Sequence, residues 1–462
     1  MSVYLDNESD TICATATPPG HGGIAVIRIS GDDAIQSAKK CCPFLPSNPE
    51  SHRVYYGFLV DKNNEKIDEV LCTYFASGRS FTGEPVVEIS CHGGEYLTQA
   101  VLSRVVETGV RIAEKGEFSF RAFMNGRIDL VQAESILSLI QSETKKASQL
   151  SLSHLEGELS KTYKNIEDQL VWILAHLEAN IDYAQEDIQV AEESLLLNKL
   201  ISAESEIIKL VESFDDGRRV KEGVRISLIG LPNAGKSSLL NAILKQERSI
   251  VTDIEGTTRD FIEETYYYKN QKYILTDTAG LRETSDTIES LGIQRTINVV
   301  NQSDFIVVLL DPNQSIENQV ENLKRFNIQS SMNTLYVVNK KDLITNTHLK
   351  SLKSFLPEKD RVLYISAKLN QGVDELLELI FQKTSPRSSE SSALVTQLRH
   401  FELLKASLED IDRAKQSLSA ADSPEFTIFE LQSSVYKIQE ILGKQFDDEI
   451  MDRVFKEFCL GK

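Results

Sequence analysis

The sequence predicts a multidomain α/β protein, and three observations carry that expectation. A chain of 462 residues exceeds what one hydrophobic core fills, at about 100 to 200 residues per domain. Its apolar patterning changes period twice, from short β-branched runs to long helical stripes, then to buried strands alternating with helix-length segments. The helical stripes then return toward the C-terminus. An α/β unit inserted into a helical domain, behind an N-terminal α+β domain, accounts for these shifts.

In residues 1–120 the runs GGIAVIRIS, VYYGFLV, EVLCTYFA and PVVEISCHGG read as strands between turn signals, with a helix near Tyr96 to Glu107. From about Asp129 the period becomes helical. Leu159, Tyr163, Ile166, Leu170, Ile173 and Leu177 follow 4-3-4-3-4 spacing, the mark of a long helix packing on other helices. A second helix is expected from Glu192 to Phe214, broken by DDGRRVKEG, so residues 121–222 form the first half of the helical domain.

Residues 223–384 hold VRISLIG, YILTDTAG, DFIVVLLD, TLYVVNK and RVLYIS, five buried-strand runs separated by helix-length segments. They predict a parallel-rich sheet flanked by helices. SPRSSESS, residues 385–392, reads as a linker, and LRHFELLKASLEDI and FELQSSVYKIQEIL complete the helical domain over 385–462.

Composition, with 41% hydrophobic and 26% charged residues, is that of a folded protein. The net charge of −19 argues against free-standing, sequence-independent nucleic-acid binding, which needs a surplus of Lys and Arg on some face. Arg218-Arg219-Val220-Lys221 is the local exception and reads as solvated loop charge. The N-terminus has no basic start followed by an apolar core, and no run of 18 apolar residues occurs. A cytoplasmic protein without a membrane span is expected. The six cysteines form no CxxC pair and no zinc spacing, so they read as reduced thiols, mostly buried.

The chemistry is carried by the strand ends. VRISLIG runs into Gly230-Leu231-Pro232-Asn233-Ala234-Gly235-Lys236-Ser237, a GxxxxGKS loop followed by Ser238. Its backbone N–H groups cradle phosphate oxygens, Lys236 neutralises β and γ charge, and the Ser237 hydroxyl suits Mg²⁺. Asp277-Thr278-Ala279-Gly280 fits DxxG, whose aspartate holds Mg²⁺ through water and whose glycine N–H meets the γ-phosphate.

Asn339-Lys340-Lys341-Asp342 fits NKxD. The Asp342 carboxylate can accept from N1–H and the 2-amino group of guanine, which selects GTP over ATP. Ser366-Ala367-Lys368 can close over the base. A Ras-like P-loop G domain is therefore predicted, with the motifs on successive strand ends. Where Ras-like enzymes carry a water-orienting glutamine after DxxG, this chain has Leu281, so another group must position water. Glu283, Asp286 and Glu289 are candidates.

These G motifs, with GTTRD at 256–260, TPPGHGGIAVIRISG, FMNGRIDLVQAES and the terminal CLGK, resemble the MnmE (TrmE) family of tRNA-modification GTPases over the whole chain. The resemblance implies a constitutive homodimer through a folate-binding-type N-terminal domain at 1–120. It also implies a heterotetramer with a flavin-dependent MnmG (GidA)-type partner, acting at C5 of the wobble uridine, position 34, of certain tRNAs.

It implies that Asn233, Thr252, Ile254 and Thr257 hold K⁺, that Thr258 joins Ser237 on Mg²⁺, and that Glu289 positions water. Asp253, Glu255 and Gly256 complete the implied GTP-contacting loop. Arg28, Glu88, Arg127 and Lys462 are the implied site for a tetrahydrofolate derivative, 5-formyl- or methylene-tetrahydrofolate. The chain departs from the family pattern at His21, Phe120 and Arg127, where the family usually has Arg, often Glu and often Lys. A regulatory GTPase switch similar to Era or EngA in ribosome assembly is the alternative; it would call for a basic RNA-binding appendage.

Cys459 lies in the terminal CLGK, whose Lys462 end does not fit a prenylation signal. Ile450, Val454, Phe455 and Phe458 have the spacing of a helix with a buried face, which would carry Cys459 to a fixed place. A catalytic nucleophile favoured by Arg111, Arg121 or Lys462, and a site-lining thiol, both remain open.

Overall fold

The computed structural model describes residues 10–182, 192–246, 263–277, 296–324, 326, 333–345, 362–385, 393–420, 424–445, 448–458 and 461. The chain forms two compact units. One comprises Met1–Gln141, Ser151–Val211 and Arg399–Lys462; the other comprises Ser142–Leu150 and Glu212–Leu398. No helix among the described residues is long and apolar enough to cross a membrane.

The first unit opens with strands β1 (Ile12–Thr15) and β2 (Ile24–Ser30), helix α1 (Ala34–Cys41), then β3 (Val54–Val60), β4 (Lys66–Phe75) and β5 (Val86–His92). Helix α2 (Glu95–Val106), the short β6 (Arg111–Ile112) and α3 (Glu117–Met124) follow. The sheet order is β3-β4-β5-β2-β1-β6, antiparallel except for the β1–β6 edge. Alternation sends Ile27, Ile29, Val87 and Ile89 inward against α1 and α2, and leaves Arg28 and Glu88 paired on the other face. Cys13, Cys41, Cys42, Cys72 and Cys91 are free and buried, as the spacing argument anticipates. The strands β1 and β6 were not legible because four- and two-residue runs carry too little period.

The helical part of this unit begins at Asp129, where the period changes. The Asp129 carboxylate accepts from Gln132 N at 3.0 Å, and Gln132 Oε1 accepts from Asp129 N at 3.0 Å. This capping box starts α4 (Leu130–Ile140). Helix α5 is Lys145–Leu155, and α6 (Glu158–Asp182) buries all six residues of the 4-3-4-3-4 stripe.

Helix α7 (Glu193–Glu222) runs through Asp215-Asp216-Gly217, where a break was expected. Gly217 is used for room, since a Cβ there would overlap the Val395 carbonyl oxygen. Arg218 and Arg219 both pair with the buried carboxylate of Asp304, and Lys221 donates to Gln397 at 2.9 Å. The expected loop charge is thus helical and partnered.

In the second unit β7 (Val224–Gly230), α8 (Lys236–Gln246), β8 (Glu263–Tyr268), β9 (Gln271–Asp277), β10 (Phe305–Leu310), α9 (Ile316–Lys324), β11 (Thr334–Val338), β12 (Val362–Tyr364) and α10 (Val373–Thr384) follow. The order β12-β11-β10-β7-β9-β8 is parallel apart from the antiparallel β8–β9 hairpin. The five expected strands are present, and β8 is an addition: EETYYY alternates weakly because its polar face is exposed at the sheet edge.

The remaining helices are α11 (Leu398–Ser419), α12 (Pro424–Leu442) and α13 (Asp448–Lys456). Phe455 and Phe458, as the terminal spacing predicts, are buried with Met451 against Phe120, Leu130 and Ala133, and Val454 is partly buried. The side chain of Ile450, Cys459 and the 386–392 stretch of the linker lie outside the described residues.

Candidate functional site

Strand β7 sits between β10 and β9, so the chain's winding reverses direction at its C-terminal end, where open α/β sheets bind ligands. The loop from Gly230 to Ser237 leaves that end and enters α8. Asn233 has φ +65° and Gly235 φ +98°, a left-handed course that aims successive backbone N–H groups to one side. The buried Lys236 donates from Nζ to the carbonyls of Gly230 at 2.6 Å and Leu231 at 3.1 Å. Ser237 Oγ donates to Asp277 Oδ2 at 3.2 Å, bringing the P-loop hydroxyl and the DxxG carboxylate together. These are two hard oxygen donors at a helix N-terminus, the chemistry Mg²⁺ takes.

Asn339 of the NKxD segment is 3% exposed. Its Nδ2 donates to the Ala234 carbonyl at 2.9 Å, and its Oδ1 accepts from Ala367 N at 3.0 Å. One side chain thereby ties the P-loop to the loop carrying Ser366-Ala367-Lys368. Gly235 lies so close that a Cβ would overlap Asn339 Nδ2. Lys340, itself at φ +56°, pairs with the buried Asp311 at 2.6 Å. Asp342 is exposed, and the Ser366 hydroxyl, aided by Lys368 and Lys340, holds its carboxyl below the usual carboxylate range. It is therefore an ionised acceptor at neutral pH, as recognition of guanine requires.

Sequence reasoning identified each of these positions by motif but missed Asn339 as the tie and Asp311 as the partner of Lys340. No local period signals such long-range contacts. Thr252, Asp253, Ile254, Glu255, Gly256, Thr257, Thr258, Thr278, Ala279, Gly280 and Glu289 lie outside the described residues. Ser238 occupies the first turn of α8 beside Ser237.

Two of the N-terminal candidates meet. Arg28 and Glu88 face each other across β2 and β5, with Arg28 Nε donating to Glu88 Oε1 at 2.9 Å. They are 16% and 27% exposed, an ion pair partly withdrawn from solvent. The rings of Phe81 and Phe118 lie 5.5 and 5.6 Å from the Arg28 guanidinium carbon. The Gly461 carbonyl lies 3.5 Å from Arg28 Nη1, which seats Gly461 at this pair. Gly461 has φ +90°, and a Cβ would overlap the Thr15 carbonyl oxygen.

Arg127 is exposed, with its aliphatic stem against Gly83, on the same loop that supplies Phe81. Cys459 and Lys462 lie outside the described residues. Of the arginines proposed to favour a thiolate at Cys459, Arg111 pairs with Glu117 and Asp10, and Arg121 with Glu84 and Glu117. Their charge is already balanced by carboxylates.

The family model described as MnmE helical domain matches residues 130–459, and that described as GTP-binding protein TrmE N-terminus matches 11–127. The tRNA modification GTPase MnmE of Bdellovibrio bacteriovorus is 44% identical over 99% of this chain and 98% of its own length. Those of Alkaliphilus oremlandii, 37% identical over the full length of both chains, and Aquifex aeolicus, 36% identical over 98% of this chain and all of the other, align similarly. Among solved structures, Era in complex with MgGDPNP and nucleotides of 16S ribosomal RNA matches 40% of this chain and 66% of its own at 22% identity, with TM-score 0.30. Matched by both family models and aligned end to end with these relatives, the chain belongs to the MnmE (TrmE) family of tRNA modification GTPases.

Proposed function

We propose that the protein hydrolyses GTP and uses the cycle, with a flavin-dependent MnmG (GidA)-type partner, to place an aminomethyl or carboxymethylaminomethyl group on C5 of the wobble uridine of certain tRNAs. The observation that carries the GTP reading is the Asn339 tie, which holds the phosphate loop and the base-closing loop in one rigid frame beside the ionised Asp342. Asp342 selects guanine, Lys236 offsets phosphate charge, and Ser237 with Asp277 and Thr258 hold Mg²⁺. Mg²⁺ there supplies charge neutralisation on the phosphate oxygens.

Leu281 cannot orient water, and Glu289, the carboxylate that the family resemblance implies, takes that role. Asn233, Thr252, Ile254 and Thr257 would hold K⁺, which would supply the positive charge that an arginine finger gives elsewhere. Arg28 and Glu88, with Arg127 and Lys462, bind a tetrahydrofolate derivative. Glu88 would accept from the pterin N–H donors and the cations would meet carboxylate or formyl oxygens, with Phe81 and Phe118 beside Arg28. The domain at 1–120 joins two copies in a homodimer, 121–222 and 385–462 form the helical domain, and 223–384 is the G domain of a cytoplasmic enzyme.

The Era- or EngA-like ribosome-assembly switch is not favoured, because the resemblance to MnmE relatives extends through the N-terminal 11–127 region and the tail. The test is nucleotide selectivity. The purified chain should hydrolyse GTP and not ATP, and Asp342→Ala should abolish the preference. Equal kcat/KM for ATP and GTP in the parent chain would overturn the reading.

A further inference from the structure

Residues Ser142–Leu150 group with the G-domain unit although their neighbours on both sides, up to Gln141 and from Ser151, group with the other. Within this stretch, Glu143 reaches the β8–β9 hairpin. Its Oε2 accepts from Tyr267 Oη at 2.8 Å and pairs with Lys272 Nζ at 2.6 Å. Tyr267 and Lys272 are directly opposed across the β8–β9 hairpin, so one carboxylate oxygen clasps both strands at one rung. Partial burial opposes the ionised form of Glu143, but Lys272 and Tyr267 outweigh it and hold its carboxyl below the usual range. Burial and the Glu143 carboxylate together push the Tyr267 phenol up to about 12. The clasp is therefore charged and intact at neutral pH.

The hairpin lies between two of the nucleotide-motif segments. β8 begins at Glu263, just after the GTTRD segment at 256–260, and β9 ends on Asp277. Lys272 stands five residues before Asp277, about 17 Å along the strand. On the other side, Glu143 stands two residues before Lys145, the first residue of α5, which continues past Leu150 into residues of the first unit. A half-exposed ion pair contributes only about 0–1 kcal/mol to stability. Its use therefore lies elsewhere than in holding the fold.

Resting on the GTP reading, we propose that Glu143 is a positioning residue that couples the β8–β9 hairpin to helix α5, so that the nucleotide state of the G domain is read out in the helical domain. Hydrogen–deuterium exchange on the full chain, with Mg²⁺ and either GDP or a non-hydrolysable GTP analogue, tests this. In the parent chain the two nucleotides should give different protection both at 230–237 and at 145–155. Glu143→Ala should keep the first difference and reduce the second at least threefold, with an unchanged melting temperature. The charge-swapped pair Glu143→Lys with Lys272→Glu should restore it, where each single reversal does not.

A parent chain with the difference at 230–237 but none at 145–155 overturns the proposal, as does a Glu143→Ala variant that keeps both. No difference at 230–237 would instead overturn the GTP reading, and the proposal with it.

Discussion

Asn339→Ala removes the side chain that joins two loops of the nucleotide site. The substitution deletes two hydrogen bonds, to the Ala234 carbonyl at 2.9 Å and from Ala367 N at 3.0 Å, and leaves both backbone groups buried without that partner. Each such group costs about 1–3 kcal/mol. Loop relaxation recovers part of the sum, so about 2–3 kcal/mol should appear as lost nucleotide affinity, a rise in Kd of about 30- to 150-fold.

Because Asn339 holds the frame, GDP and GTP should weaken alike; titration with fluorescent analogues of each measures this. Gly235→Ala should give a similar loss, since its Cβ would overlap Asn339 Nδ2 and its φ is +98°. In an Asn339→Ala background that second change should cost only its backbone strain, about 1–2 kcal/mol. A Kd within threefold of the parent chain for Asn339→Ala, or full additivity of the two changes, would refute the tie.

Glu134 is buried against Arg399 and His400, at 3.1 and 2.7 Å. Burial would raise its carboxyl, but the contacts with Arg399 and His400 outweigh it and bring it to about 2 from 4.5. The lowered folded value means that this contribution is present above pH ~4.5 and is lost as pH falls toward ~2. Glu134→Gln should therefore flatten the acid limb of a stability–pH curve measured by denaturant melts, and should cost about 3–5 kcal/mol at pH 7. An unchanged acid limb would contradict the assignment.

Gly461→Ala should displace the tail from Thr15 and Arg28 and weaken binding of 5-formyltetrahydrofolate at least tenfold by calorimetry, leaving GTP affinity unchanged. GTP turnover should fall when Na⁺ replaces K⁺; equal rates would remove the role given to Asn233. Cys459→Ser separates the two thiol roles by liquid chromatography of tRNA nucleosides. Full modification assigns a lining residue, and its loss with folate binding intact assigns a nucleophile.

Legibility followed the range of the interaction. The P-loop, Asp277 and Asn339 are readable because their chemistry lies in contiguous residues at strand ends, and the stripe from Leu159 to Leu177 because burial repeats with the helix. Gly217 was misread because an interior glycine signals a break, yet here its missing Cβ admits the Val395 carbonyl. Arg28 and Glu88 read alone are charges on alternate positions, and only the β2–β5 register makes them a pair. The Glu134–Arg399–His400 cluster joins residues more than 260 positions apart, and Glu143 meets Lys272 across 129 positions, which no window of sequence can register.

The wobble uridine itself reports most directly on the proposed activity. Mass spectrometry of tRNA from cells carrying only a Lys236→Ala copy, against cells with the parent chain, measures occupancy of the C5 group at position 34. The group should be lost or sharply reduced while the level of protein is unchanged. Full occupancy in the variant, or in cells lacking the protein altogether, would contradict the proposed activity.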